Sequence, residues 1–378
     1  MTTLRVILDD MLDSPPRGAA RMTEELTREL VQSAPAGVFV EGVIAASTEP
    51  EYASVLERLP GLAGLHKSSL ARRELTLAWQ HGFTRLPGGG MIHSPSLLAP
   101  LSRHDRLNND GEQTVVTIQN AFAWSHPESV PSRAVAWTLA MAKRAHRYAD
   151  AVVVPTHATA VRLSEFIDFG ERIRVISGAP GSRLSLPPDA DARAATLRLP
   201  DRYLVAFGGL EPRRGIARLV AALPAGVPLL VIGPATQDDL STLATGAGLA
   251  ADAVRALEPD QDADLAVIVS RAAAVVIPSL EEGFSLPMVE AFRLGTPVIH
   301  TDDPSLVEVA GESGLVVELA DAESFETRLA EAIRSVLDDA GLAERLSIYG
   351  QDRSGAFDWR NSAEKVWQLH AEIGRAHV

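Results

Sequence analysis

The chain has 378 residues, 46% of them hydrophobic, with no cysteine and a formal net charge of −14. This length predicts two domains rather than a single core, and the lack of cysteine excludes disulfides, thiolate metal ligands and thiol nucleophiles. The negative charge argues against nucleic acid as a partner, and the sequence has no apolar run long enough for a membrane span and no signal-peptide pattern.

Apolar runs of strand length alternate with helical patterns along the chain, which is typical of α/β proteins with parallel sheets. In the first half, strands are predicted at 4–8, 38–46, 114–118, 151–155 and 173–176, with helices at 23–32 and 130–149. In the second half, strands are predicted at 203–208, 228–233, 273–278, 297–300 and 315–319. The pattern predicts two consecutive Rossmann-like, doubly wound domains.

The domain boundary is predicted in residues 177–200, which contain four prolines and no sustained periodicity and therefore suit a linker. We expect one domain at 1–180 and a second at 181–357, followed by an amphipathic helix at 358–378. Residues 65–86 combine basic and apolar side chains. They predict a helix packed on the first domain, and the alternative is a helix that lies on a membrane surface.

Residues 275–300 predict a strand, a loop with carboxylates, and a helix with Pro287 in its first turn and Gly295 just past its end. The start of such a helix lies at the carboxyl edge of the sheet, where its amide groups and dipole favour an anion. Glu282 lies on the loop and Glu290 in or near the first helical turn. Alternatively, Glu290 only complements the helix dipole and Glu282 is a solvated charge.

Residues 207–220 form a second candidate site, in which a strand ends at Gly208 and Gly209 and a loop then presents Arg213 and Arg214. Paired guanidinium groups at the end of a strand suit a diphosphate, because each one can donate two hydrogen bonds and keeps its charge. The alternative is that both arginines are simply solvated.

These two segments, PSLEEGFSLPMVEAFRLGTPVI and GGLEPRRG, resemble the signatures of retaining GT-B glycosyltransferases of family four. The resemblance implies that Glu282 contacts hydroxyls of a donor sugar, that Glu290 holds the ribose, and that Arg213 and Arg214 neutralise the leaving diphosphate. It also implies that the sugar–phosphate site is lined by Gly208, Gly209, Gly283, Phe284, Ser285 and Leu286. Ser285 replaces the usual glycine of the family and Arg214 the usual lysine.

Residues 357–373 resemble the helix with which this family crosses back to its first domain, so we expect the helix at 358–378 to return to the domain at 1–180. The first half is similar to the same family in its acceptor-side segments. Residues 16–26 resemble a glycine-rich loop in which Gly18 and Arg21 match, whereas Arg17 stands at a glycine position. His93 matches a family segment that follows a strand.

In residues 117–128, Gln119 and Asn120 replace a His-Asp pair, while His126 matches. The two amides cannot titrate near neutrality, but they can position hydroxyl groups. The resemblance therefore implies a catalytic role for Gln119 and an acceptor-side role for Gly18, Arg21, Asn120 and His126.

The function implied is retaining transfer of a hexose from a nucleotide-diphosphate sugar to a glycan or lipid-linked acceptor, in a cleft between the domains. GDP-mannose is the first choice of donor, followed by dTDP-rhamnose or a UDP-sugar. The sequence has no Asp-x-Asp motif at a strand end and no histidine cluster. We therefore expect no metal and no cofactor.

We expect a cytoplasmic protein, with weak peripheral membrane contact through the first domain at the inner face. The alternatives are a catalytically degenerate GT-B subunit that binds a nucleotide or partner, and a GT-B sugar-nucleotide epimerase.

Overall fold

A computed structural model describes residues 2–12, 18–83, 90–104, 111–259, 261–320 and 324–375. The described chain divides into two compact units. Unit 1 comprises Met1–Gly178 and Asp358–Val378, and unit 2 comprises Ala179–Phe357.

The secondary structure alternates regularly between strands and helices. The strands are β1 (Thr2–Ile7), β2 (Val38–Ala46), β3 (Gly64–Ala71), β4 (Met91–Ser94), β5 (Gln113–Thr117), β6 (Ala151–Val154), β7 (Ile173–Val175), β8 (Leu204–Phe207), β9 (Leu229–Ile232), β10 (Val254–Leu257), β11 (Ala274–Ile277), β12 (Val298–Thr301) and β13 (Leu315–Val317). The α-helices are α1 (Gly18–Gln32), α2 (Glu49–Arg58), α3 (Arg72–His81), α4 (Phe122–Ser125), α5 (Ser132–Tyr148), α6 (His157–Ser164), α7 (Ala190–Thr196), α8 (Ile216–Ala222), α9 (Gln237–Gly246), α10 (Asp262–Ser270), α11 (Leu286–Arg293), α12 (Pro304–Ala310), α13 (Phe325–Asp338), α14 (Ala340–Ser354) and α15 (Trp359–Arg375).

Unit 1 contains a parallel sheet in the order β3-β2-β1-β4-β5-β6-β7. Its central strands are continuous apolar runs such as AVVV in β6, which is buried along its whole length. Strands of this kind need helices on both faces of the sheet. Helix α5 packs Met141 into the same core as Val152 and Val154, and α15 packs against α1 and β5.

Unit 2 contains a second parallel sheet, in the order β10-β9-β8-β11-β12-β13. Strand β8 lies between β9 and β11, so the chain first builds the sheet to one side of β8 and then returns to build the other. The crevice outside the carboxyl ends of β8 and β11 is the switch point at which open α/β sheets bind ligands. Helix α14 packs behind α11, which begins at this edge.

Each of the ten predicted strands is present, and the predicted fold class is confirmed. The helix predicted at 65–86 is wrong over its first part, because β3 occupies Gly64–Ala71 and only α3 is helical. Residues 84–86 lie outside the described residues. Exposed Lys67 and Ser69 alternate with half-buried neighbours, which is the two-residue period of an edge strand.

Two other expectations need correction. The predicted linker at 177–200 contains a helix, α7, which packs against α10 in unit 2. The supposed glycine-rich loop at 16–26 is helical from Gly18 onwards, while Pro16 and Arg17 lie outside the described residues. Among the described residues, no helix combines the length and the apolar character required to cross a bilayer.

Candidate functional site

The loops that follow β8 and β11 meet at the carboxyl edge of the unit 2 sheet. Gly208 leaves β8 with φ 129°, and Gly215 has φ 66° at the end of a 3-10 turn, Pro212–Arg214. A Cβ atom on Gly215 would lie 2.0 Å from the carbonyl oxygen of Pro278, so only glycine allows this approach. The Leu280 N–H also donates to the Arg213 carbonyl oxygen at 2.8 Å. The two predicted motifs are therefore joined through their backbones.

The two arginines of the first loop have different surroundings. Burial, and then the charge of Arg214, lower the pKa of Arg213, although a guanidinium stays protonated at neutral pH. Arg214 is ion-paired with Glu282 through Nη1 and Oε1. Two side chains predicted to contact separate parts of one ligand therefore bind each other here.

Glu282 is held on three sides. The Oε1 atom of Glu282 accepts a hydrogen bond from the Ser279 hydroxyl at 2.8 Å, in addition to the ion pair with Arg214. Its backbone N–H donates to Oδ2 of Asp303 at 3.3 Å. The side chain of Glu282 is only 9% exposed. A carboxylate fixed in this way is preorganised to accept hydrogen bonds in one direction.

Ser285 is the N-cap residue just before helix α11, and its φ of 69° is a left-handed conformation that favours glycine. This backbone geometry explains why the related motif has glycine at this position. Pro287 lies in the first turn and Gly295 just past the end, as predicted. Glu290 is buried in the second turn, four residues after Leu286.

The ring of Phe284 packs edge-on against Phe357 at 5.5 Å, which anchors the loop before the helix. The neighbouring Gly283 is also buried.

Asp303 is a site residue that the sequence analysis missed. It follows β12 and caps α12, where Oδ2 accepts from Ser305 N–H at 3.1 Å and from Leu306 N–H at 3.2 Å, as well as from Glu282. Burial, the largest cause, raises the pKa of Asp303 to about 7. The sequence did contain a signal for this cap, because Asp-Pro after an apolar strand is typical of the start of a helix.

The acceptor-side candidates of unit 1 are held by backbone contacts. Gln119 donates through Nε2 to the Pro95 carbonyl oxygen at 3.0 Å, and Asn120 accepts from the Phe122 N–H at 3.2 Å. The Nδ1 atom of His126 lies 3.4 Å from Oε1 of Glu128. Gly18 and Arg21 lie in the first turn of α1, which follows β1 in the chain. Gln119 and Asn120 thus have defined orientations.

His93 lies inside β4, so the expectation that it follows a strand is wrong. It is fully buried, and desolvation lowers its pKa to about 4. Its ring packs edge-on against His370 of α15 at 5.6 Å. Together with Gln119 and Trp359 it lines a cavity of about 20 Å³, which is room for about one water molecule. The geometry indicates a neutral core histidine rather than a catalytic base.

No cluster of three or more histidine, aspartate or glutamate side chains placed like metal ligands occurs in the described part of the chain. The expectation of a metal-free reaction stays a prediction.

Comparison with known proteins links this geometry to a family. Residues 189–353, most of unit 2, match the family model described as "Glycosyl transferases group 1". A curated relative, the serotype-specific mannosyltransferase WbdA of Escherichia coli, is 27% identical over 230 residues, which is 57% of this chain and 28% of the relative. The chain spans between 27% and 56% of the length of the first curated relatives it matches.

Solved structures match over nearly the whole chain. The sucrose-phosphate synthase of Thermosynechococcus elongatus has a TM-score of 0.75 at 22% identity, with all of both chains covered. Anabaena Alr3699/HepE, solved with UDP and glucose, has a TM-score of 0.72 at 17% identity and covers 98% of this chain and 100% of its own. At these identities the likeness shows the fold, which is GT-B. Residues 189–353 of unit 2 match the glycosyl transferases group 1 model, and the resemblance inferred from the motifs is confirmed.

Proposed function

We propose that the chain is a retaining glycosyltransferase that moves a hexose from a nucleotide-diphosphate sugar to a glycan or lipid-linked acceptor. The observation that carries the proposal is the joining of the Arg213–Arg214 loop to the Glu282 loop at the switch point of unit 2. GDP-mannose is the donor we favour, because WbdA is a mannosyltransferase. Alr3699/HepE was solved with UDP and glucose, which makes UDP-glucose the second choice.

The diphosphate is proposed to bind between the guanidinium groups of this loop and the start of α11. Arginine forks match phosphate oxygens in geometry, and the positive end of a helix adds favourable potential. Arg214 must give up Glu282 to reach the diphosphate, so donor binding exchanges one ion pair for another. Charge that develops on the departing diphosphate is then neutralised without a metal ion.

The sugar is proposed to contact Glu282, and the ribose is proposed to contact Glu290. Glu282 is suited to its role because Ser279 and Asp303 fix it from the side chain and from the backbone. Glu290 lies on α11, the helix whose start is proposed to face the diphosphate. The ribose and the phosphates would therefore be bound by one rigid helix.

On the acceptor side, Gln119 and Asn120 are proposed to orient the attacking hydroxyl. Neither amide can remove its proton, so we propose that a donor phosphate oxygen accepts it on the same face of the sugar, which retains the anomeric configuration. The contribution of unit 1 is then orientation rather than base catalysis.

A thermal-shift and donor-hydrolysis screen over GDP-, UDP- and dTDP-sugars tests the proposal. One sugar nucleotide should stabilise the protein and be hydrolysed slowly, and Arg213→Ala and Glu290→Ala should each abolish the shift. Asp264→Asn, which removes an ion pair of α10 with Arg193 of α7, is the control and should leave the shift unchanged. An unchanged shift in both site variants would overturn the site assignment.

A catalytically degenerate GT-B subunit is the second candidate, because Gln119 and Asn120 stand where the family has a titratable pair and both are engaged with backbone groups. Such a subunit would bind the sugar nucleotide as tightly but release no sugar. Hydrolysis or transfer by the purified protein, lost in Glu282→Ala, separates the two.

A further inference from the structure

We propose that Asp303 is a positioning residue for the donor sugar, and that it acts through the backbone N–H of Glu282. The inference rests on the proposed function, because it concerns how strongly Glu282 grips the sugar. Asp303 is 5% exposed and follows β12, whereas Glu282 follows the neighbouring strand β11. The contact between them therefore joins the loops of two adjacent strands.

The geometry places one oxygen atom at the centre of this junction. Oδ2 of Asp303 accepts from the N–H groups of Glu282, Ser305 and Leu306 at 3.3, 3.1 and 3.2 Å. The last two belong to the first turn of α12. The loop that carries Glu282 is thereby fixed to the start of a helix rather than left to solvent.

A second hydrogen bond also links the segment after β11 to strand β12. The Thr301 hydroxyl at the end of β12 donates to the Ser279 carbonyl oxygen at 2.6 Å, and the Ser279 hydroxyl donates to the carboxylate of Glu282. Ser279 orients the side chain of Glu282 and Asp303 orients its backbone. Without the Asp303 contact, the Glu282 carboxylate keeps its hydrogen bond from Ser279. The backbone of Glu282 is then no longer fixed, so the side chain can change direction.

This arrangement has a consequence that a purely structural cap does not share. Removal of the Asp303 carboxylate should weaken the contribution of the sugar to donor affinity, because Glu282 is then poorly aimed. Any change in how easily Arg214 leaves Glu282 should affect the nucleoside diphosphate and the sugar nucleotide alike, because both ligands carry the diphosphate. The diagnostic quantity is the ratio of the two dissociation constants.

The test measures both dissociation constants by calorimetry, with GDP and GDP-mannose, UDP and UDP-glucose, and dTDP and dTDP-rhamnose. The variants are Asp303→Ala, Asp303→Asn, Glu282→Ala and the double variant. Asp339→Ala is the matched control, since Asp339 caps α14 of the same unit by accepting from the Leu342 N–H at 2.9 Å.

For the pair that the wild type binds, Asp303→Ala should reduce the preference for the sugar nucleotide about tenfold, as expected when a positioned group is displaced. Asp303→Asn keeps an acceptor oxygen and should restore most of the preference, and Asp339→Ala should not change it. In the Glu282→Ala background, Asp303→Ala should have no further effect on the ratio.

Three results would overturn the inference: an equal loss of affinity for both ligands, no loss at all, or a full additional loss in the Glu282→Ala background. A different result would overturn the proposed function instead. If none of the pairs binds, or if Glu282→Ala leaves the preference for the sugar nucleotide intact, Glu282 does not hold a donor sugar. The two failures are therefore distinguishable.

Discussion

Glu282→Gln should strengthen the binding of a nucleoside diphosphate while it weakens catalysis. In the folded protein Glu282 pairs with Arg214, and the two side chains are 9% and 28% exposed. A partly exposed ion pair of this kind is worth about 1 kcal/mol. In the proposed site, binding of a diphosphate breaks this ion pair, and the variant removes that cost together with a nearby negative charge.

The expected size follows from the affinity scale, on which 1.4 kcal/mol is a factor of ten. GDP or UDP should therefore bind about fivefold more tightly to Glu282→Gln than to the wild type, as measured by calorimetry. Transfer or hydrolysis of the sugar nucleotide should fall by about 10- to 100-fold in kcat/KM, because a charged hydrogen-bond acceptor for the sugar is lost.

The matched control is Asp264→Asn, which breaks the 2.7 Å ion pair with Arg193 in the same unit. There the two side chains are 16% and 26% exposed, so the burial is comparable. This variant should not change the affinity for the nucleoside diphosphate. Unchanged or weaker diphosphate binding by Glu282→Gln would refute the view that Arg214 is shared between Glu282 and the ligand.

Three further outcomes are expected from unfolding measurements. Ser285→Gly should raise the stability by about 0.5–1 kcal/mol, since it relieves a left-handed conformation that costs about 1–2 kcal/mol and loses part of the gain to unfolded-chain entropy. Ser335→Gly in the exposed face of α13, where glycine is unfavourable, should instead lower it, and equal effects of the two changes would contradict the argument. The pKa of Asp303 is raised to about 7, so its share of stability is full below about pH 4 and is lost as the pH rises to 7. The wild type should accordingly lose stability relative to Asp303→Asn over that range, and a flat difference profile would show that the carboxyl is already ionised at acid pH. The pKa of His93 is lowered to about 4, so the wild type should lose stability relative to His93→Gln as the pH falls from 6.5 to 4, at a rate of up to about 1.4 kcal/mol per pH unit. The same slope in both proteins would mean that His93 titrates normally.

The fold could be predicted because the buried strands are continuous apolar runs, such as AVVI in β11, that have few alternative structures. Strand β3 was missed because half of the residues in GLHKSSLA are polar and the strand lies at the edge of the sheet. An edge strand pairs with a neighbouring strand on one side only. Its mixture of polar and apolar residues therefore resembles that of a surface helix until its partner β2 is known.

The elements of the candidate site could be predicted, but the contacts between their side chains could not. The spacing of Glu282 and Glu290 and the Arg213–Arg214 pair pointed to the carboxyl edge of the sheet, and the structure places the segments that carry them after β8 and β11. The ion pair of Arg214 with Glu282 depends on the approach of Gly215 to Pro278, which joins residues more than 60 positions apart. Asp303 reaches Glu282 only because β11 and β12 are neighbours in the sheet.

The conformation of Ser285 also could not be predicted from the sequence. The residue looked like a mild departure from a motif, and the structure shows the physical demand at that position, a positive φ at the start of α11. His93 is the reverse case. A motif match suggested a functional histidine, and its complete burial against His370 gives it a packing role.

The most direct test of the central claim is a crystal structure of the protein with the nucleoside diphosphate that binds best in the screen. The account predicts that the diphosphate lies outside the carboxyl ends of β8 and β11, within hydrogen-bond distance of Arg213, with Arg214 turned from Glu282 toward the phosphates and the ribose at Glu290. A diphosphate bound elsewhere, with the Arg214–Glu282 pair intact, would contradict it.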